Sequence, residues 1–217
     1  LAAWVRPDAL TAAELFNRVP QAGITNYGLG LNASGQLIMN FTADSQGTNL
    51  VLVAPLANAM VAGTWAHVAG TYDSERKEMK LYINGTNVAT LLTSERPAVN
   101  GVGLVRVMIG RTFNGQMDEI GIFNRALDDA EVAIVKSGIA DNGLTPVAYY
   151  RFEDGTSATN NGSGLWPGVS RNATWTRGQV HDFMGSYTRD WEAKWINSAT
   201  LVGNASNIAA GAGAPIL

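Results

Sequence analysis

Short apolar and aromatic runs, broken every few residues by Gly, Asn, Asp or Pro, recur along the chain at 1–5, 27–31, 36–41, 50–53, 65–72, 78–83, 105–109, 116–123 and 147–152. Runs of this length and composition predict strands. Their regular spacing predicts a β-sandwich rather than alternating strand and helix units. Met79, Leu81 and Ile83 alternate onto one face, and Asn84-Gly85 supplies the positive φ angles of a type I′ turn leading back through Val88. A second hairpin is expected to turn at Asn32-Ala33-Ser34-Gly35. The 3.6-residue period is well signalled once, over 128–136. There Asp128 is an N-cap, Glu131 its capping-box partner and Gly138 the stop, while Val132 and Val135 would hold the helix to a sheet.

The stretch 137–146, rich in Gly, Asn and Asp and ending in Pro146, reads as a linker. Residues 156–168 read as a loop and 209–217 as a Gly/Ala tail. Composition strengthens the all-β reading. The 217 residues are 46% hydrophobic and 15% charged, with 24 Gly, and a chain this long buries roughly 70% of its unfolded surface on folding. A net charge of -3 without Lys/Arg clusters argues against nucleic acid or an anionic membrane as partner. No stretch reaches the 18 apolar residues that a membrane-spanning helix needs. The absence of Cys excludes disulfides and thiolate metal sites.

Two blocks carry a family resemblance. The run from Gly63 through Trp65-Ala66-His67-Val68 to Asp73, followed by Leu81-Tyr82-Ile83-Asn84-Gly85, is one. Ile109-Gly110-Arg111, followed by 113–127 and the Glu131 helix, is the other. Together they resemble laminin-G-like and pentraxin-like domains of the concanavalin A-like lectin/glucanase jelly rolls. The resemblance implies an all-β, two-sheet antiparallel jelly-roll sandwich with one short helix, its main body over 1–136. The family's usual opening strand resembles 147–155, which here follows the body, and 160–164 with 177–185 continue that pattern. The order is therefore permuted, with 137–146 as linker, 147–190 as opening strands and 191–217 as tail or start of a next repeat. Three explanations stand open: a slice of a tandem array, closure of the sandwich in cis, or strand exchange with a neighbouring subunit. Unpaired strand edges recruit strands, so each is physically reasonable.

Catalysis is poorly signalled. Glucanases of this superfamily place three acids at alternate strand positions, but here Glu119 is followed by Gly121 and Phe123. A retaining glycosidase needs two carboxyls about 5 Å apart, so no enzyme is expected. His67 reads as a buried structural imidazole, and His181 beside Asp182 lacks a nucleophile to complete a triad. The resemblance implies a possible Ca²⁺ site, carried over onto Asp118, Glu153, Asp154 and Asn160. Asp118 alternatively caps a turn or pairs with Arg111 or Arg125. For a glycan, an exposed ring flanked by polar groups is the usual platform. Trp166 and Trp175 are the candidates, each alternatively a plug over the core, while Trp4 and Trp65 are expected in strands. Six Asn-x-Ser/Thr sequons occur, at Asn32, Asn40, Asn84, Asn161, Asn172 and Asn204. The expected function is a non-catalytic, extracellular or cell-surface module binding a glycan or matrix polymer. The alternative is a structural subunit of a filament or adhesin that self-associates by strand exchange.

Overall fold

Nearly every predicted run forms a strand close to its expected bounds. In the computed structural model, residues 1–98, 107–138 and 143–152 are described in full, together with the backbones of Val169–Arg177 and Trp191–Gly203. The strands are β1 (Ala2–Pro7), β2 (Ala13–Arg18), β3 (Tyr27–Leu31), β4 (Leu37–Thr42), β5 (Asn49–Val53), β6 (Ala66–Asp73), β7 (Glu78–Ile83), β8 (Thr86–Leu92), β9 (Val107–Ile109), β10 (Gly115–Ile122), β11 (Ala148–Tyr150), β12 (Val169–Arg177) and β13 (Trp191–Gly203). The helix α1 (Asp129–Ser137) lies between β10 and β11. Residues 153–168 and 204–217, with the expected loop and tail, lie outside the described residues, as do 178–190 and residues 139–142 of the expected linker.

All pairings are antiparallel. The ladder runs β5-β4-β3-β2-β9-β13-β10-β1-β6-β7-β8, with β11 also on β10 and β12 on β13. It folds over into two facing sheets of a jelly-roll sandwich. Their contact is so close that a Cβ on Gly70 of β6 would stand 2.9 Å from the Leu29 side chain of β3 and 3.0 Å from Met39 of β4. Leu29, Met39 and Phe41 meet Val5, Val68, Leu81 and Met117 in this core. Each large side chain so buried contributes about 1.5–3 kcal/mol.

The hairpin turn forms as the sequence predicts, with Asn84 at φ 52° and Gly85 at φ 80°. The Asn32 carbonyl accepts from the Gly35 amide at 3.0 Å, which closes the second turn. β2 escapes the pattern because polar Glu14, Asn17 and Arg18 interrupt it and because a bulge breaks its alternation. Glu14 pairs with Gly30 but Phe16 with Leu29, leaving Leu15 as the extra residue. The bulge lets consecutive residues Leu15 and Phe16 both enter the core.

α1 covers the outer face of the second sheet. Val132 and Val135 pack with Leu127 on Ala2, Ala69 and Tyr82 in a second core cluster. The Asp128 side chain accepts the Glu131 amide at 2.8 Å and the Glu131 carboxylate accepts the Asp128 amide at 3.0 Å, a complete capping box. The Tyr82 hydroxyl, from the sheet below, donates to Asp129 at 2.7 Å. That bond, seconded by Lys80, holds the Asp129 carboxyl below the usual range, and Arg125 does the same for Glu131. A carboxyl whose folded pKa lies below its unfolded one stabilises the fold above the unfolded pKa, and that contribution is lost as pH falls through the folded value. Asp128→Ala is expected to lower stability by about 1 kcal/mol in urea melts. Tyr82→Phe should lower it by a similar amount at neutral pH, since one bond to a charged acceptor is lost, about 1–2 kcal/mol. The difference between Tyr82→Phe and the parent should shrink as pH falls from the unfolded carboxyl value of about 4 through the lower folded value of Asp129. A pH-independent difference would mean that the hydroxyl contributes packing alone.

Candidate functional site

Along β3 the sequence Tyr27-Gly28-Leu29-Gly30-Leu31 sends every large side chain into the core and leaves bare backbone on the outer face. Registers place Asn17 and Asn40 on either side of Gly28, and Glu14 and Ile38 on either side of Gly30. A cleft of about 310 Å³ follows, floored by the two glycines, with a β2 wall of Glu14 and Asn17 and a β4 wall of Ile38 and Asn40. Thr25 and Thr112 also line it. Beyond β4 the same two rows continue to Val51 and Val53 of β5, each 42% exposed.

Both glycines are closely approached by their neighbours. A Cβ on Gly28 would stand 2.5 Å from Asn40 Oδ1, and one on Gly30 would stand 2.3 Å from the Ala13 carbonyl oxygen. The Asn40 amide leans over the floor and donates from Nδ2 to Asn49 Oδ1 at 3.1 Å. On the opposite wall Arg111 Nη1 lies 3.4 Å from Glu14 Oε2, and the Glu14 amide donates to the Arg111 carbonyl at 3.0 Å. Asn17 is 7% exposed, and its Oδ1 is buried without a hydrogen-bond partner among the described residues. A buried acceptor left unmatched costs about 1–3 kcal/mol, so this amide is primed for a donor. The site thus offers carboxylate, amide and hydroxyl groups around a glycine and isoleucine surface. That combination suits a ligand with polar edges and an apolar face.

A second cleft, of about 220 Å³, lies beside the start of α1 and includes Asp73, Glu78, Lys80, Arg125 and Glu131. Its charges are spent on one another: Lys80 pairs with Glu78 at 3.2 Å and Arg125 with Glu131 at 2.7 Å. These contacts secure the helix.

Of the residues singled out by sequence, Trp166, Glu153, Asp154, Asn160 and His181 lie outside the described residues, and Trp175 lies on the β12 backbone. Asp118 is 1% exposed in β10, and its Oδ1 accepts the Glu119 amide at 2.8 Å. Arg111 and Arg125, the two arginines considered for it, pair instead with Glu14 and Glu131. Among the described residues no three His, Asp or Glu side chains converge, and of the four residues put forward for Ca²⁺ only Asp118 is described. His67 is 1% exposed, with Trp4 edge-on at 5.7 Å, and Trp4 Nε1 donates to the Lys136 carbonyl at 3.3 Å. Trp65 departs from its expected strand placement: it is half-buried, one residue ahead of β6. Glu119 is bonded by the Tyr149 hydroxyl and lies 3.6 Å from Arg151 Nε. Sequence reasoning missed the cleft on β2, β3 and β4. Its legible signal was the Gly-x-Gly alternation inside an otherwise apolar strand.

A family model for the concanavalin A-like lectin/glucanases superfamily matches residues 1–133. The chain belongs to that superfamily. Comparison with curated proteins finds no match. Among solved structures, a putative carbohydrate binding protein from Bacteroides ovatus is similar at 18% identity and a TM-score of 0.53, over 76% of this chain and 47% of that one. The chain thus spans about half the length of that relative. The CBM40 domain of a Ruminococcus gnavus IT-sialidase, bound to α2,3-sialyllactose, is similar at 21% identity and a TM-score of 0.50, over 62% of this chain and 80% of that one. A pentraxin from Limulus polyphemus is similar at 16% identity and a TM-score of 0.47, covering 94% and 81%. At these identities the likeness is one of fold.

The two glycines of this lectin-like floor are expected to respond differently to substitution. Gly30→Ala forces a methyl against a paired backbone carbonyl and should destabilise by about 1–3 kcal/mol in urea unfolding. Gly28→Ala meets the end of a side chain that can swing aside, and should change stability by less than about 1 kcal/mol. Equal costs would mean that Asn40 is locked in place.

Proposed function

We propose that this superfamily member is a non-catalytic carbohydrate-binding module that takes a glycan along the glycine-floored cleft of β2, β3 and β4. The observation that carries the reading is the unmatched, buried Asn17 amide oxygen beside bare Gly28 and Gly30 backbone. A sugar brings hydroxyl donors for Asn17 and Glu14, and it brings a C–H face for the glycine and Ile38 surface. Solved relatives of the same fold are described as a carbohydrate binding protein and as a sialyllactose-bound CBM40, which supports the assignment. Glu14 is the one carboxylate lining the cleft among the described residues, whereas glycoside hydrolysis requires a pair. Binding without cleavage is the chemistry these groups support.

Glycans outside the cell, free or in a surface matrix, are the natural targets of such a module. Pairing of β11 and β13 with β10 of the same chain supports recognition over a strand-exchange joint. Light scattering is expected to give a monomer at all concentrations, and polymers that resist dilution would favour a filament subunit instead.

Glycan-array screening followed by calorimetry tests the reading on protein from a non-glycosylating host, because Asn40 lies in a sequon. Gly28→Ala and Asn17→Ala are each expected to weaken glycan binding roughly tenfold, about 1.4 kcal/mol. A chelator should leave affinity unchanged, since the cleft presents too few oxygen charges for Ca²⁺. Unaltered binding in both variants would move the site elsewhere on the sandwich.

A further inference from the structure

We infer that the cleft selects uncharged, hydroxyl-bearing glycans and rejects acidic ones such as sialylated or sulfated chains. The inference rests on the cleft being the glycan site and adds the class of sugar it accepts. Its polar lining consists of Glu14, Asn17, Asn40, Thr25 and Thr112, with no Lys, Arg or His among the lining residues described. The guanidinium beside it, Arg111, is engaged by Glu14 at 3.4 Å and lies about half exposed at the rim. An anionic sugar therefore finds no unspent cation among the described lining residues. It finds a carboxylate whose Oε2 is shielded from solvent, where like-charge repulsion is screened less than in water.

The acceptors point to the same ligand class. Asn17 Oδ1 is buried without a partner among the described residues, and the Glu14 carboxylate, already paired with Arg111, can take up a ligand group only as an acceptor, so what a ligand brings to this wall is O–H or N–H donors. Sites built to bond a ligand hydroxyl discriminate strongly against analogues that lack it, because the buried acceptor is then left unmatched. Neutral sugars supply such donors from their free hydroxyls, whereas a carboxylate or sulfate adds acceptors alone. The similar CBM40 fold, which is solved with a sialylated ligand, need not share its ligand class with this chain.

The test is a calorimetric titration of the whole chain with lactose, laminarin and mannan on one side and 3′-sialyllactose and heparin on the other, for the parent, Glu14→Gln and Asn17→Ala. At least one neutral glycan is expected to bind at least tenfold more tightly than either acidic one. Glu14→Gln, which removes the carboxylate and releases Arg111, should narrow that ratio several-fold, while Asn17→Ala weakens neutral binding without improving acidic binding. Circular dichroism confirms that both variants fold. Preferential binding of sialyllactose or heparin, lost on Gly28→Ala, would overturn the selectivity and leave the carbohydrate-binding reading standing. Failure of every glycan to bind would overturn both.

Discussion

Both edges of β10 are spoken for. One carries β1 along its length, and the other is divided between β13 at Gly115–Met117 and β11 at Ile120–Ile122. A strand buried in a sandwich cannot leave its amides and carbonyls unmatched, because each such group costs about as much as a lost hydrogen bond. Segments that follow the body of the domain in sequence are therefore the ones that complete it in space. The bulge at Asp118 and Glu119 falls between the two partners. Glu119 adopts φ 49°, an uncomfortable angle for a residue with a side chain, and the Asp118 carboxylate offsets the strain by accepting its amide at 2.8 Å. The turned Glu119 then reaches the Tyr149 hydroxyl and Arg151, so the bulge that separates the two partners also anchors β11.

Closing the sandwich this way decides which surface remains open for recognition. The outer face of the β10, β1, β6 and β7 sheet is taken by α1, whose Val132 and Val135 bury Ala2, Ala69 and Tyr82. The Asn84-Gly85 turn presses against the same helix, with Gly85 so near that a Cβ would stand 3.3 Å from Lys136. The outer face of β2, β3 and β4 has no helix over it in the described structure. There a Gly-x-Gly strand between polar neighbours makes a depression without loss of core packing, because Tyr27, Leu29 and Leu31 fill the interior from the opposite face. Period-two alternation lets one strand serve both the core and the floor of the cleft.

Sequence patterning revealed the architecture wherever local and global preferences agree. The Asn84-Gly85 hairpin, the Asp128 and Glu131 capping box and the β6–β7 pair were all legible from a few residues each. β2 was not, because its bulge at Leu15 replaces alternation with the consecutive core residues Leu15 and Phe16 and its other positions are mostly polar. The cleft was hidden for the same reason, since half its wall is β2. It depends on register across three consecutive strands, and Asn17 and Asn40 flank Gly28 only once two hairpins are aligned. Aromatic residues attracted the search for a glycan platform, whereas the described structure puts its sugar-sized depression where side chains are missing. The glycines that signal it read equally well as turn residues until their neighbours are known.

The same geometry underlies the proposed lectin-like rather than glucanase-like reading of this scaffold. The glucanases of this superfamily project successive acids from one strand into one cleft, and that projection depends on unbroken alternation. On β10 the bulge breaks it: Asp118 is buried, Glu119 turns toward Tyr149 and Arg151, and Phe123 lies in the cluster beneath α1. Restoring acids at 121 and 123 would place one against Tyr149, paired with Gly121, and the other inside an apolar cluster. A charge buried there without a partner is strongly disfavoured. The strand that carries the acids in the superfamily's glucanases is committed here to closing the sandwich, and the proposed recognition site accordingly lies on the opposite sheet.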